Sequence, residues 1–132
     1  MTRHTSVSEV HLLSSTTELP DVPLVADFAG NDASLLRAAY ENGAEAIVVQ
    51  AFGGGRSSPA VREVYEEITA AGVPVILASR VPEGRVMSNP AGTSTGLVYA
   101  GDLPPHKVRV LVMLALQIPS STTRLQRLMD TH

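Results

Sequence analysis

The chain has no cysteine and no tryptophan, and only two phenylalanines and three tyrosines. Without cysteine there are no disulfides, no thiol nucleophile and no thiolate metal ligand. Its core has to hold mainly through aliphatic packing. Such a composition suits a reducing compartment, and a cytoplasmic protein is the expectation. Lysine is almost missing, since Lys107 is the single lysine among ten basic residues. Those basic residues are scattered and the net charge is −3, so no surface for a phosphate backbone is predicted and no nucleic-acid partner is expected. Long apolar runs are absent too. Val110–Leu116 is the longest, well short of the roughly 20 residues that cross a bilayer. Met1–Ser8 carries no apolar core of a secretion signal. No membrane partner is expected. His4, His11, His106 and His132 lack metal-ligand spacing, so no metal is expected. Neither a Gly-x-Ser-x-Gly elbow nor a complete phosphate or dinucleotide fingerprint is present, and no cofactor is predicted.

What the chain does contain is a regular alternation of short apolar runs and helical patterns. Its 132 residues suffice for one domain with its own core. Residues 1–19, rich in Ser and Thr, read as a flexible arm, within which Val10, Leu12 and Leu13 are an optional edge strand. The domain proper is expected over 20–132. Pro23–Phe28 is a strand, and Asn31 or Asp32 caps a helix over 33–42 with Leu35, Leu36 and Ala39 inward. Ala46–Ala51 is a strand apolar enough to be covered on both faces. Ser58 then caps a helix that has Pro59 at its first position and Val61, Val64, Tyr65 and Ile68 along one stripe. Val73–Ala78 and Gly96–Ala100 are two further strands. Helices over 105–117 and 121–130 close the domain, the last with Leu125, Leu128 and Met129 inward. Strand and helix in alternation with short connections predict an α/β fold. The expectation is a three-layer sandwich around a parallel sheet of about four strands, Rossmann-like in its winding. The helix Val108–Leu116 is apolar all round, which leaves two settings open: core packing against the sheet, or a subunit interface.

The segment most suited to ligand contact is Gly53-Gly-Gly-Arg-Ser-Ser58. It follows a strand and precedes a helix, at the edge of an open sheet where ligands bind. Glycines allow close backbone approach, and Arg56 has the donor geometry for a carboxylate. A tight turn that simply requires glycine is the competing explanation. Asp32 is accounted for by capping and Asp102 by turn chemistry, while Asp27, alternating with apolar neighbours in the first strand, reads as a satisfied strand-end carboxylate, with a place at the border of the cleft as the alternative. The irregular stretch 80–95 contains one acid, Glu83, read as a surface residue.

Three segments together resemble the C-terminal domain of bacterial L-asparaginases of the asparaginase/glutaminase family. They are Gly43-Ala-Glu-Ala-Ile-Val-Val-Gln-Ala-Phe-Gly-Gly-Gly55, Ala78-Ser-Arg-Val-Pro-Glu-Gly-Arg-Val86 and Ala100-Gly-Asp-Leu-Pro-Pro-His-Lys-Val-Arg-Val-Leu-Val-Met-Leu-Ala-Leu116. The resemblance covers the chain from about Leu19 onward. It implies the same α/β sandwich, and it implies that Gly54, Gly55, Arg56 and Ser57 belong to a loop that completes the substrate site of a neighbouring subunit. Asn89 is the loose counterpart of an acidic substrate contact in the following loop. The family's loop reads Gly-x-Gly-Asn, and here Arg56 stands at the asparagine. An amide that donates and accepts has become a cation that only donates. Lys107 and Arg109 match a structural Lys-Ala-Arg of the family. The threonine motifs of the family's larger domain are not among these residues, so the sequence reads as half of an enzyme, not catalytic alone. The implied role is an assembly module that completes the site of an L-asparaginase-type amidohydrolase. Its implied partners are a second copy or an asparaginase N-terminal-domain-like protein, with a small amino acid as ligand. A dimerising or carboxylate-binding module without chemistry, or a truncated remnant, are the alternatives.

Overall fold

A computed structural model describes residues 18–87, 96–118 and 120–132. The expected arm therefore lies almost wholly outside the described residues. Strand β1 (Leu24–Ala26) leads to helix α1 (Ser34–Glu41), β2 (Ile47–Ala51), α2 (Pro59–Ala70), β3 (Val75–Ser79), β4 (Leu97–Tyr99), α3 (Pro105–Ala115) and α4 (Thr122–Thr131). The four strands form one sheet in the order β1-β2-β3-β4, every pair parallel. Successive strands step in one direction across the sheet. Right-handed crossovers then place α1 and α2 on the same face.

Alternation along each strand divides the core in two. Ile47, Val49, Val75 and Leu77 point to one face, where they meet Leu36 of α1 and Val61, Val64, Tyr65 and Ile68 of α2. Val48, Ile76, Ala78 and Val98 point to the other, against Val108, Leu111, Val112 and Ala115 of α3 and Leu125, Leu128 and Met129 of α4. The three-layer α/β sandwich expected from the sequence is the observed architecture. Of the two settings open to the apolar helix, the sheet-packed one holds for its inner face, while Val110 stands 53% exposed. Arg109 ties the same helix to the start of the domain, its Nε donating to the Val22 carbonyl at 2.7 Å.

Several expected features moved, each for a local reason. Leu35 is outward, not inward: it is 62% exposed while Leu36 is fully buried. The buried face of α1 runs through Leu36 with Ala39 and Tyr40 packed partly against it, the i, i+3, i+4 rhythm, and Leu35 sits one step off that stripe. Neither Asn31 nor Asp32 occupies the cap position. Ala33 does, in a left-handed conformation at φ 63°, while Asn31 Oδ1 accepts from Ala33 N at 2.9 Å and Asp32 Oδ1 from Ser34 N at 3.0 Å. Both side chains satisfy backbone donors two residues on, as Asx turns do. Strand β3 starts at Val75 because the Val73 N–H is held by the Ile68 carbonyl of α2 and Pro74 has no N–H to give.

Two substitutions separate the buried face of this sandwich from its outer surface. Ile76→Ala, in a central strand, is expected to cost about 2–5 kcal/mol, because it removes buried methyl groups and leaves a cavity. Val110→Lys on the outer side of α3 is expected to change stability by no more than about 0.5 kcal/mol. Urea unfolding of the two variants measures both. A Val110→Lys loss as large as that of Ile76→Ala would place Val110 in a contact surface instead.

Candidate functional site

At the carboxyl edge of the sheet the chain turns sharply after β2. Residues Gly53–Gly55 form a single 3-10 turn. Phe52 N donates to the Arg56 carbonyl at 2.8 Å and Gly55 N to the Phe52 carbonyl at 3.0 Å, so the loop closes on itself. Gly54 and Gly55 both adopt positive φ, 70° and 78°, a region that side chains with a Cβ avoid. This is why two glycines sit here. The predicted site residues Gly54, Gly55, Arg56 and Ser57 are thus held together in one compact turn. Arg56 is exposed and makes no ion pair with any described residue. Asn89 lies outside the described residues.

The end of this loop is anchored by the carboxylate of Asp27, the residue that follows β1. Asp27 is buried. Its Oδ2 accepts the Ser58 N–H at 2.6 Å, and its Oδ1 accepts the Ser58 hydroxyl at 2.9 Å, the Asn31 amide at 3.1 Å and the Phe28 N–H at 2.9 Å. Ser58 occupies the cap position of α2 as the sequence predicts, but its side chain makes no cap bond. It donates to Asp27 instead. The carboxylate at the start of α2 thus comes from the residue after β1, and it faces the end of α2 whose helix dipole favours an anion. Asp27 is therefore a satisfied strand-end carboxylate, as its setting in the sequence suggests.

Below the loop, Tyr65 of α2 is largely buried, and burial pushes its phenol above the ordinary value of 10.0. Glu66 and Tyr99 add to this, while Arg62 and the Ser57 hydroxyl oppose it. At the turn before α1, the exposed Asp32 carboxyl is held below its usual 3.8, chiefly by the Ser34 N–H.

A second feature escaped the sequence reading. On the α3 side of the same edge, an open cleft of about 370 Å³ is lined by Gln50, Ser79, Arg80, Asp102 and His106, among others. Its residues come from the ends of β2 and β3, the loops after β3 and β4, and the start of α3. Two signals for it were available, Ser-Arg-Val-Pro directly after a strand and Pro-Pro directly before a helix, since both fall at carboxyl ends of strands. Arg80 links cleft and loop, with its guanidinium 4.8 Å from the centre of the Phe52 ring, a cation–π distance. Glu83 is exposed, as predicted, and Lys107 is exposed in the first turn of α3. Among the described residues no group of three or more His, Cys, Asp or Glu side chains is placed to hold a metal ion. No described helix is long and apolar enough to cross a membrane.

A parallel sheet wrapped on both faces, with glycine-rich and cationic loops gathered at its carboxyl edge, defines a three-layer α/β domain. Comparison with known proteins gives the particular family. Residues 21–129 match the Glutaminase/Asparaginase C-terminal domain, and the chain belongs to that family. It is 29% identical over 124 residues to L-asparaginase 2 of Bacillus subtilis, covering 94% of this chain and 33% of that protein. It is 31% identical over 129 residues to the glutaminase-asparaginase of Pseudomonas fluorescens biotype A, covering 96% and 35%. Among solved structures, the probable cytoplasmic L-asparaginase of Campylobacter jejuni superposes with a TM-score of 0.83 at 30% identity, covering 89% of this chain and 37% of that one. The chain spans about a third of the length of the relatives it matches.

Two measurements test the electrostatics around the loop. Asp27→Ala leaves the Ser58 and Phe28 donors without their acceptor and is expected to cost about 3 kcal/mol, as unpaired buried donors do. Asp27→Asn, which keeps one acceptor oxygen, is expected to cost less. Chemical denaturation of both variants gives the comparison. For Tyr65 the folded value is raised, so its contribution to stability is complete below pH 10.0 and is lost as pH rises through the folded value. Tyr65→Phe is therefore expected to weaken the alkaline fall in stability above pH 10, read from denaturation curves at successive pH values.

Proposed function

We propose that this domain completes the substrate site of an asparaginase-type amidohydrolase and does no chemistry alone. The observation that carries the reading is the Gly53–Ser57 turn. It is closed on itself, anchored at Ser58 by Asp27 and set at the carboxyl edge, and it carries an exposed cation, Arg56, with no ion-pair partner among the described residues. Such a segment is built to be presented to something outside the domain. The names of the relatives supply the reaction class, hydrolysis of a side-chain amide such as that of L-asparagine or L-glutamine. A threonine-bearing catalytic domain is the partner proposed, with assembly through this edge or through a second copy of the chain.

Arg56 sets the kind of contact available. Its guanidinium donates only, in a fork that matches a carboxylate. In this reading it holds an anionic group of the substrate. The same property supports the second reading, a module that binds a small carboxylate without catalysis.

The 132-residue chain is expected to release no ammonia from L-asparagine or L-glutamine. Mixed with the part of Bacillus subtilis L-asparaginase 2 that it does not match, it is expected to form a complex by sedimentation and to release ammonia. Arg56→Ala in that mixture is expected to lower kcat/KM by about tenfold or more, the scale of a lost charged contact. Ammonia release by the chain alone would overturn the non-catalytic reading. A complex-free, inactive mixture in which the chain still binds succinate would leave the carboxylate-binding module standing.

A further inference from the structure

The loop Gly53–Ser57 has a second anchor, distinct from Asp27. In the segment that follows β3, residues 80–85 and Met87 are exposed and Val86 alone is buried, at 2%. Val86 meets two other loops. A Cβ placed on Gly55 would lie closer than 3.0 Å to Val86 Cγ1, nearer than carbon atoms approach without something shifting. The Gly55 backbone therefore rests directly on the valine. Val86 N donates to the Gly101 carbonyl at 2.8 Å, an antiparallel bridge to the turn after β4. Gly101 also has positive φ, 66°, and its open side faces the Arg85 guanidinium. The loops after β2, β3 and β4 thus meet at one residue, Gly55 against the Val86 side chain and Gly101 at its backbone N–H.

We propose that Val86 is a positioning residue for the Gly53–Ser57 loop. Asp27 fixes where the loop ends, at Ser58, and Val86 fixes how far its middle sinks toward the sheet. Together they leave Arg56 one presentation. The same side chain ties that loop to the segment beginning at Arg80, so a shift in either is felt by the other. The pinning follows from packing alone; its catalytic consequence rests on the proposed function above.

Amide hydrogen exchange tests the pinning in the intact chain. The Phe52 and Gly55 amides report loop closure, and the Val48 and Val49 amides of β2 report the sheet. In Val86→Ala, Phe52 and Gly55 are expected to exchange at least about tenfold faster than any change in the sheet amides accounts for. Val86→Thr, nearly the same shape, is expected to keep loop exchange within about threefold of the parent whatever its effect on overall stability. Equal acceleration of loop and sheet amides in Val86→Ala would overturn the proposal, as would loosening by Val86→Thr that matches the alanine variant. The mixture with the catalytic part of the relative supplies the second readout. There Val86→Ala is expected to raise KM for the amide by about tenfold with kcat within about twofold. A loosened loop with unchanged KM would keep the pinning and remove this loop from the substrate site. An unloosened loop with raised KM would do the reverse.

Discussion

The two central strands, β2 and β3, are buried on both faces and have to be covered twice. Everything else in this domain follows from that constraint. Val48 and Val49, adjacent in sequence, serve two different cores, so neither pair of helices can be lost without baring half of the sheet. The crossovers dispose of one face with α1 and α2. The other face is left to α3 and α4, which arrive only after the last strand. With both faces taken by helices, the carboxyl edge is the part of the sheet left open, and the loops with chemical character collect there.

At that edge the Gly53–Ser57 turn is contacted from two sides. Its polar end is held by the Asp27 carboxylate, which accepts four hydrogen bonds, and its apolar middle by contact between glycine and valine. These differ in kind. A charged acceptor is strong and directional, while packing is short-ranged and tolerant of rotation. Using both confines the turn in position as well as in angle. The exposed Arg37–Glu67 pair between α1 and α2, at 3.1 Å, adds little by comparison, since both side chains are well solvated.

Much of this was readable from the chain. The stripe Val61, Val64, Tyr65 and Ile68 predicts α2 and its buried face correctly, because four aliphatic or aromatic side chains at helical spacing have one consistent solution. Leu35 shows the limit of that logic. In an eight-residue helix, two adjacent leucines leave the phase ambiguous, and burial of Ala33 and Leu36 settles it. The bond from Asp27 to Ser58 joins residues 31 apart in the chain, and nothing in local pattern announces it. The contact of Gly55 with Val86 is equally silent, since glycine records only that a Cβ is unwelcome and not what would meet it. The cleft beside α3 was missed because its lining is assembled from separate loops, and the Ser-Arg-Val-Pro and Pro-Pro segments do not by themselves show that they meet. The family resemblance supplied the significance of the Gly53–Ser57 loop, which spacing alone leaves as a tight turn.

Ala33 narrows what mutation can do at one corner of the molecule. The position demands a left-handed backbone, which Asn, Asp and Gly accept most easily. It is also shut into the apolar core beside Leu36, where a polar side chain would lose its water. The residues that suit the angle and the residues that suit the surroundings overlap only at glycine and, with some strain, at alanine. Position 33 is thus a site where sequence drift has almost no room, although it touches neither the loop nor the cleft.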